Sequence, residues 1–241
     1  MSGPSNCFAT TRWTLVVSAS QPSSPLADQA LEELCRIYWY PLYLFVRRQG
    51  LNKEDAEDRV QSFLERLLRG RDLGNLSAER GRFRAFLLAS MKHFLANEWR
   101  DARRQKRGGG QEVLSLDWHA ADERFHRDLV DANPSVEAAF DRAWAVALLE
   151  RVLARLESEM QADGKGPFFE VTRNFLAIDR ESIPYDEAAR QLGTEEAGLR
   201  VAVHRLRKRY RALLHDEIAQ TLTDPASVDE ELRSLRAALS R

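Results

Sequence analysis

The sequence is poor in cysteine, with two residues, Cys7 and Cys35, among 241. Two cysteines allow one disulfide at most and exclude a disulfide-stapled fold. They sit in unlike contexts, so the expectation is two reduced thiols in a cytoplasmic protein. The five histidines, His93, His119, His126, His204 and His215, form no HExxH pair and no Cys/His set at zinc spacing. No metal and no cofactor is therefore expected. No apolar run reaches the roughly 18 residues of a membrane span, so no membrane insertion is expected. Residues Met1 to Pro25 also lack the basic, apolar, small-residue order of a secretory signal. Net charge is nearly absent as well: 36 Lys and Arg face 37 Asp and Glu, a formal charge of −1. The total identifies no partner, but the distribution does, because basic residues gather in two places.

What the chain has is helical periodicity. Strict alternation, the signature of strands, is nearly missing. The expectation is an all-α protein of two small helical domains joined by a flexible linker, the C-terminal one containing a helix-turn-helix. Ser24-Pro25 reads as a cap followed by proline at the first helical position. Leu31, Leu34, Cys35 and Tyr38 follow at helical spacing, Pro41 interrupts or restarts the helix, and Tyr43 and Val46 continue it to Gly50. A second helix, about Lys53 to Arg69, carries Ala56, Val60, Phe63, Leu64, Leu67 and Leu68 as one stripe, with Gly70 as its C-cap. After a polar loop, Phe83, Phe86, Leu87, Met91, Phe94 and Leu95 define a third helix, about Gly81 to Arg104. Gly108-Gly109-Gly110 and the polar, aperiodic stretch beyond read as the linker, residues 108–133. Helix resumes after Asn133-Pro134 with Phe140, Trp144, Ala147, Leu148 and Leu156. A turn at Gly164-Lys165-Gly166-Pro167 leads to Phe168, Phe169 and Phe175. An acidic tail, residues 216–241, is expected to form one more helix from Val228.

The strongest local signal runs from Pro184 to Arg207. Pro184 opens a short helix whose Ala188, Ala189 and Leu192 face inward, and the small alanines allow a close crossing. Gly193 tolerates the positive φ of a sharp turn, and Thr194 caps a second helix. In that second helix Leu199, Val203, Leu206, Tyr210 and Leu213 form the inward stripe. The other faces carry Arg200, His204, Arg205, Arg207, Lys208, Arg209 and Arg211, with no acid between Glu196 and Asp216. An all-positive face repels itself unless a polyanion neutralises it, and DNA phosphates supply one. Arg200 and His204, nearest the helix start, are the candidates for base edges. Arg205, Arg207, Lys208 and Arg211 complete the DNA-binding set, with Arg207 and Arg211 suited to phosphates. Gly198 lets DNA approach closely. The alternative is a basic surface helix with no specific partner.

The second basic cluster spans residues 80–107, where nine Lys and Arg face only Glu98 and Asp101. Its aromatics, Phe83, Phe86, Phe94 and Trp99, suit melted nucleic acid, whose bases stack or enter pockets. Phe86 and Phe94 read better as core, whereas Phe83 and Trp99 lie at the edges of the stripe. His93 and Asn97, at i and i+4, share a face. They suit either an exposed base edge or solvated surface.

Three stretches then resemble a known family. Asp55-Ala-Glu-Asp-Arg-Val-Gln-Ser-Phe-Leu-Glu-Arg-Leu-Leu68 resembles the polymerase-binding helix of region 2 in bacterial RNA polymerase sigma factors of the sigma-70 family. The compact extracytoplasmic-function type is the nearest class. Phe83-Arg-Ala-Phe-Leu-Leu through Asn97-Glu-Trp-Arg-Asp-Ala-Arg-Arg is similar to that class's helix for promoter melting and −10 reading. The segment ending Val201-Ala-Val-His-Arg-Leu-Arg-Lys-Arg-Tyr is similar to its region 4, which reads the −35 element. The resemblance covers about residues 30–107 and 136–215.

It implies a region 2-like domain over 26–107 and a region 4-like domain over 134–215, with 1–25 an N-terminal extension. Core RNA polymerase and promoter DNA are the implied partners, together with an anti-sigma or other regulatory protein. Asp55, Glu57, Asp58, Gln61 and Glu65 would contact the polymerase. Arg82, Phe83, His93, Asn97, Arg100, Arg103 and Arg104 would contact −10 DNA, and the linker would thread toward the polymerase active-site channel. The acidic tail lies outside the family pattern and would either shield the basic helix or bind a regulator. A sigma factor performs no chemistry itself, so no enzyme activity is expected. The competing reading is a dimeric helix-turn-helix repressor or activator that is not a polymerase subunit. A nuclease is disfavoured because the acids show no metal-site spacing.

Overall fold

The computed structural model describes residues 12–13, 16, 25–69, 82–102, 116–128, 135–176 and 184–240. It is all-α. Helices α1 (Pro25–Arg48), α2 (Lys53–Leu68), α3 (Phe83–Ala102), α4 (Trp118–Asp128) and α5 (Val136–Ala162) come first. Then follow α6 (Gly166–Thr172), a 3-10 turn Arg173–Leu176, α7 (Tyr185–Gln191), α8 (Glu196–Ala219) and α9 (Val228–Leu239). No helix among the described residues is long and apolar enough to cross a membrane. The chain divides into two compact units, Met1–Ala147 with Ile218–Arg241, and Leu148–Glu217.

The first unit is built on α1, which buries Leu34, Cys35, Tyr38, Leu42, Tyr43, Phe45 and Val46. Pro41 lies inside this helix without ending it. An interior proline costs about 3 kcal/mol, and buried neighbours on both sides of it offset that cost. Cys35 is a buried free thiol. Burial, and secondarily the charge of Glu32, push its pKa well above the ordinary thiol range, which suppresses the reactive thiolate. Helix α2 starts at Asn52, whose side-chain oxygen accepts the Asp55 N–H at 2.8 Å. It buries Ala56, Val60, Phe63, Leu64 and Leu67.

An aromatic cluster closes the start of α3. Phe83 packs against Trp13 at 4.9 Å and Tyr38 at 5.0 Å between ring centroids. Each such pair contributes about 0.5–1.5 kcal/mol beyond area burial. Segments from early and late in the sequence meet here. Trp13 N–H donates to the Gln220 carbonyl at 3.1 Å, and Phe83 N–H donates to the Thr221 carbonyl at 3.0 Å.

Part of the expected linker is folded. Trp118, Ala121 and Phe125 share one face of α4 at spacings of three and four. Trp118 meets Trp39 at 5.5 Å. Asp122 accepts from Tyr43 Oη at 3.1 Å and pairs with Arg47 and Lys53 at 3.2 and 3.6 Å. Desolvation works against the Asp122 carboxylate, but the Tyr43 hydroxyl and these cations hold its pKa below the ordinary range. Only three of the eleven residues of α4 make up that face, a weak periodic signal, and the partners that satisfy them lie far away in sequence. Cys7, the Gly70 cap, the 71–80 loop, Gly108-Gly109-Gly110 and Asn133-Pro134 lie outside the described residues.

The second unit has two adjoining apolar clusters. Val152, Leu156, Phe169, Leu206 and Leu213 form one. Phe175, Ala188, Ala189, Leu199 and Val203 form the other. Fully burying a side chain such as Leu or Val contributes about 1.5–3 kcal/mol, so these positions fix which side of α8 faces inward.

Candidate nucleic-acid interface

The turn between α7 and α8 is set locally. Pro184 precedes α7 in extended backbone. Gly193 adopts φ 61°, a conformation that a side chain would strain. The N–H of Thr194 donates to the Ala189 carbonyl at 3.0 Å, closing the end of α7.

With Leu199, Val203, Leu206 and Leu213 inward, the helical repeat puts Arg200, His204, Arg205, Lys208 and Arg211 on the outward side, and all are exposed. The charges of α8 are sorted by face. The two acids at its C-terminal end turn to α5: Arg155 pairs with Asp216 at 2.7 Å and Glu217 at 3.0 Å. Arg209 also points that way, pairing with Glu159 at 2.7 Å. That pair holds the Glu159 carboxyl below the ordinary carboxylate range, with the Arg209 hydrogen bond the largest cause. Arg205, Lys208 and Arg211 have no ion-pair partner among the described residues.

Two of the sequence-expected contacts are occupied within the protein. Arg207 Nε donates to the Phe175 carbonyl at 3.0 Å, so it also braces the 3-10 turn. Arg200 pairs with Glu196 at 2.6 Å and lies 4.4 Å over the Tyr185 ring. Tyr185 thus positions a guanidinium at the start of the outer face. Periodicity did not single it out, although a tyrosine opening the helix before a basic one is a visible signal.

On α3, His93 is exposed and Asn97 half-buried on one side of the helix. Phe83 corrects the expectation of a base-contacting aromatic. It is 0% exposed, because Trp13 and Tyr38 cover what the periodicity left at the stripe's edge. Arg82 pairs with Glu230 and, at 3.2 Å, with Glu231 of α9. The tail's acids Glu230 and Glu231 are therefore engaged at the start of α3. Arg100 lies in α3, but its side chain, like the whole of Arg103 and Arg104, is outside the described residues.

On α2, Asp55, Asp58 and Gln61 share the side opposite the buried stripe, whereas the Glu65 side chain is only 12% exposed and pairs with Arg69 at 2.7 Å. Glu57 falls on another side, half-buried, with Oε1 sealed from solvent and without a hydrogen-bond partner. Desolvation raises its pKa, Lys53 opposes this, and Glu54 and Asp122 add to it. The folded state thus favours the protonated acid. Any contribution to stability is present at low pH and lost as pH rises through the folded-state value, above the ordinary 4.5. Glu57→Gln is expected to match the native chain near pH 4 and to be the more stable above pH 6 in urea titrations. Identical pH profiles would show that the carboxylate is not strained.

Among the described residues no cluster of three or more His, Cys, Asp or Glu is placed to hold a metal ion. No family model, no curated protein and no solved structure matches this chain.

Proposed function

We propose that this chain is a promoter-specificity factor of bacterial RNA polymerase, of the extracytoplasmic-function sigma type. In this reading it brings the polymerase to duplex −35 DNA through α8 and to melted −10 DNA through α3. The observation that carries the proposal is the sorting of charge on α8. Its terminal acids and Arg209 are spent on α5, while His204, Arg205, Lys208 and Arg211 share an outward face without an acid. Such a face suits a helix lying along a groove, where phosphates supply the countercharge. The acidic side of α2, with Asp55, Asp58 and Gln61, supports a polymerase contact. His93 and Asn97 on α3 suit the edge of an unstacked base. Core polymerase and promoter DNA are the partners, and bond making is left to the polymerase.

Arg200 and Asn97 separate the two DNA roles. Arg200→Ala is expected to weaken discrimination between −35 variants by about 1–3 kcal/mol, the value of a bidentate base contact. Asn97→Ala is expected to change −10 preference in transcription assays with core polymerase and leave −35 duplex binding intact. Unchanged −35 discrimination in the first variant would remove the base contact, and unchanged −10 preference in the second would remove the pocket.

A further inference from the structure

The outer face of α8 holds two residues that its basic neighbours do not explain. Val201 is 53% exposed, and only Leu26 stands with it as an exposed large hydrophobic among the described residues. Its surroundings on the helix are Ala197 one turn before, and His204, Arg205 and Lys208 at three, four and seven residues after. Gly198, three residues before it, is the other oddity. Its φ is not positive, and a Cβ added there would meet only Thr194 Oγ1, at an ordinary 3.6 Å. Neither backbone conformation nor packing within the chain demands glycine at 198, and glycine is a poorer helix former than alanine.

An apolar side chain set among cations needs a partner that is negative around its edges and apolar at one point. The major groove offers that combination: phosphates along its walls, and the C5-methyl of thymine on its floor. A protein surface would also cover a valine, but lysine is depleted at protein interfaces, and this face carries Lys208; no acid stands on it to pair with a partner's cations, whereas phosphates match its charge. We infer that Val201 is a specificity residue that reads a thymine methyl in the major groove, with Gly198 leaving the room for that side of α8 to seat closely. This rests on the duplex-binding role proposed above.

The test uses the full chain, alone and with core polymerase. Duplexes selected from a random pool are resynthesised with each thymine replaced in turn by deoxyuridine. That replacement removes the methyl and keeps every hydrogen-bonding group. One position is expected to lose about fourfold in affinity, the worth of one buried methyl-sized group. Val201→Ala should lose a similar factor on the thymine duplex and be indifferent to uracil at that position. Gly198→Ala should bind more weakly while its melting temperature equals or exceeds that of the native chain. The inference is overturned if no uracil substitution matters, if uracil sensitivity survives in Val201→Ala, or if Gly198→Ala binds as the native chain does. Selection that enriches no duplex at all would sink the DNA-binding role together with it. Enrichment without methyl sensitivity would sink this inference alone.

Discussion

Arg84→Met is expected to destabilise the first unit by about 3 kcal/mol, a large part of a typical domain's stability. Arg84 is 13% exposed and pairs with Glu231, itself 1% exposed, at 3.0 Å. It also reaches Asp141 and lies 4.3 Å over the Trp144 ring. Removing the cation leaves a buried carboxylate short of its main partner, and that stranded charge dominates the cost. Arg82, at 3.2 Å from the same carboxylate, limits the loss. The double variant Arg84→Met with Glu231→Leu should recover most of the stability, because it buries apolar groups in place of a half-satisfied pair. Urea denaturation of both variants checks this. A single variant within about 0.5 kcal/mol of the native chain, the range of an ordinary surface substitution, would show that Glu231 is not sealed against Arg84. Hydrogen exchange adds a local readout, since amides of Val228–Leu239 should lose protection first.

The second large effect concerns DNA. Replacing Arg205, Lys208 and Arg211 together by alanine should abolish measurable duplex binding near physiological salt. If each cation neutralises one phosphate, the slope of log affinity against log salt falls by about 2.7, at about 0.9 per contact. Folding should barely change, because the three side chains are exposed and unpaired, and exposed substitutions usually stay within about 0.5 kcal/mol each. Arg209→Ala is the matched control. Its guanidinium is tied to Glu159, so it should cost up to about 1 kcal/mol of stability and leave the salt slope unchanged. Equal slopes in the triple variant and the native chain would mean that the outward face of α8 does not meet phosphates.

Most of the helical skeleton was legible from spacing alone. The stripes of α1, α2 and α3, the start at Pro25 and the turn at Gly193 are local features, fixed by periodicity, capping and backbone freedom. What escaped was long-range. Trp13 is a single aromatic with no pattern around it, yet it is 1% exposed against Phe83 and Phe86. Its position turns Phe83 from an edge residue into core. Helix α4 was hidden because Trp118, Ala121 and Phe125 find their partners on α1, far away in sequence. The acids of α9 read as a shield or a regulator site. Their cations, Arg82 and Arg84, lie more than 140 residues earlier, and charge pairing across such a distance leaves no periodic trace.

On the candidate interface, the outward basic residues were legible because every apolar position of α8 was needed inside. Which of them are free was not. The ties of Arg200 to Glu196 and Tyr185, of Arg207 to the Phe175 carbonyl and of Arg209 to Glu159 depend on side-chain geometry. Val201 was visible in principle, since it falls outside the stripe of Leu199, Val203, Leu206 and Leu213. Its significance emerged only once its exposure and the open space at Gly198 were known.

Footprinting with purified bacterial core polymerase, the chain and DNA fragments from its genome separates a polymerase subunit from a free-standing DNA binder. Chain and polymerase together are expected to protect two separated segments upstream of a start site, near −35 and −10. Strand opening should occur around the second, and transcription should start downstream only when the chain is present. A symmetric footprint over two matching half-sites, made by the chain alone and unaffected by polymerase, would contradict the polymerase-subunit role.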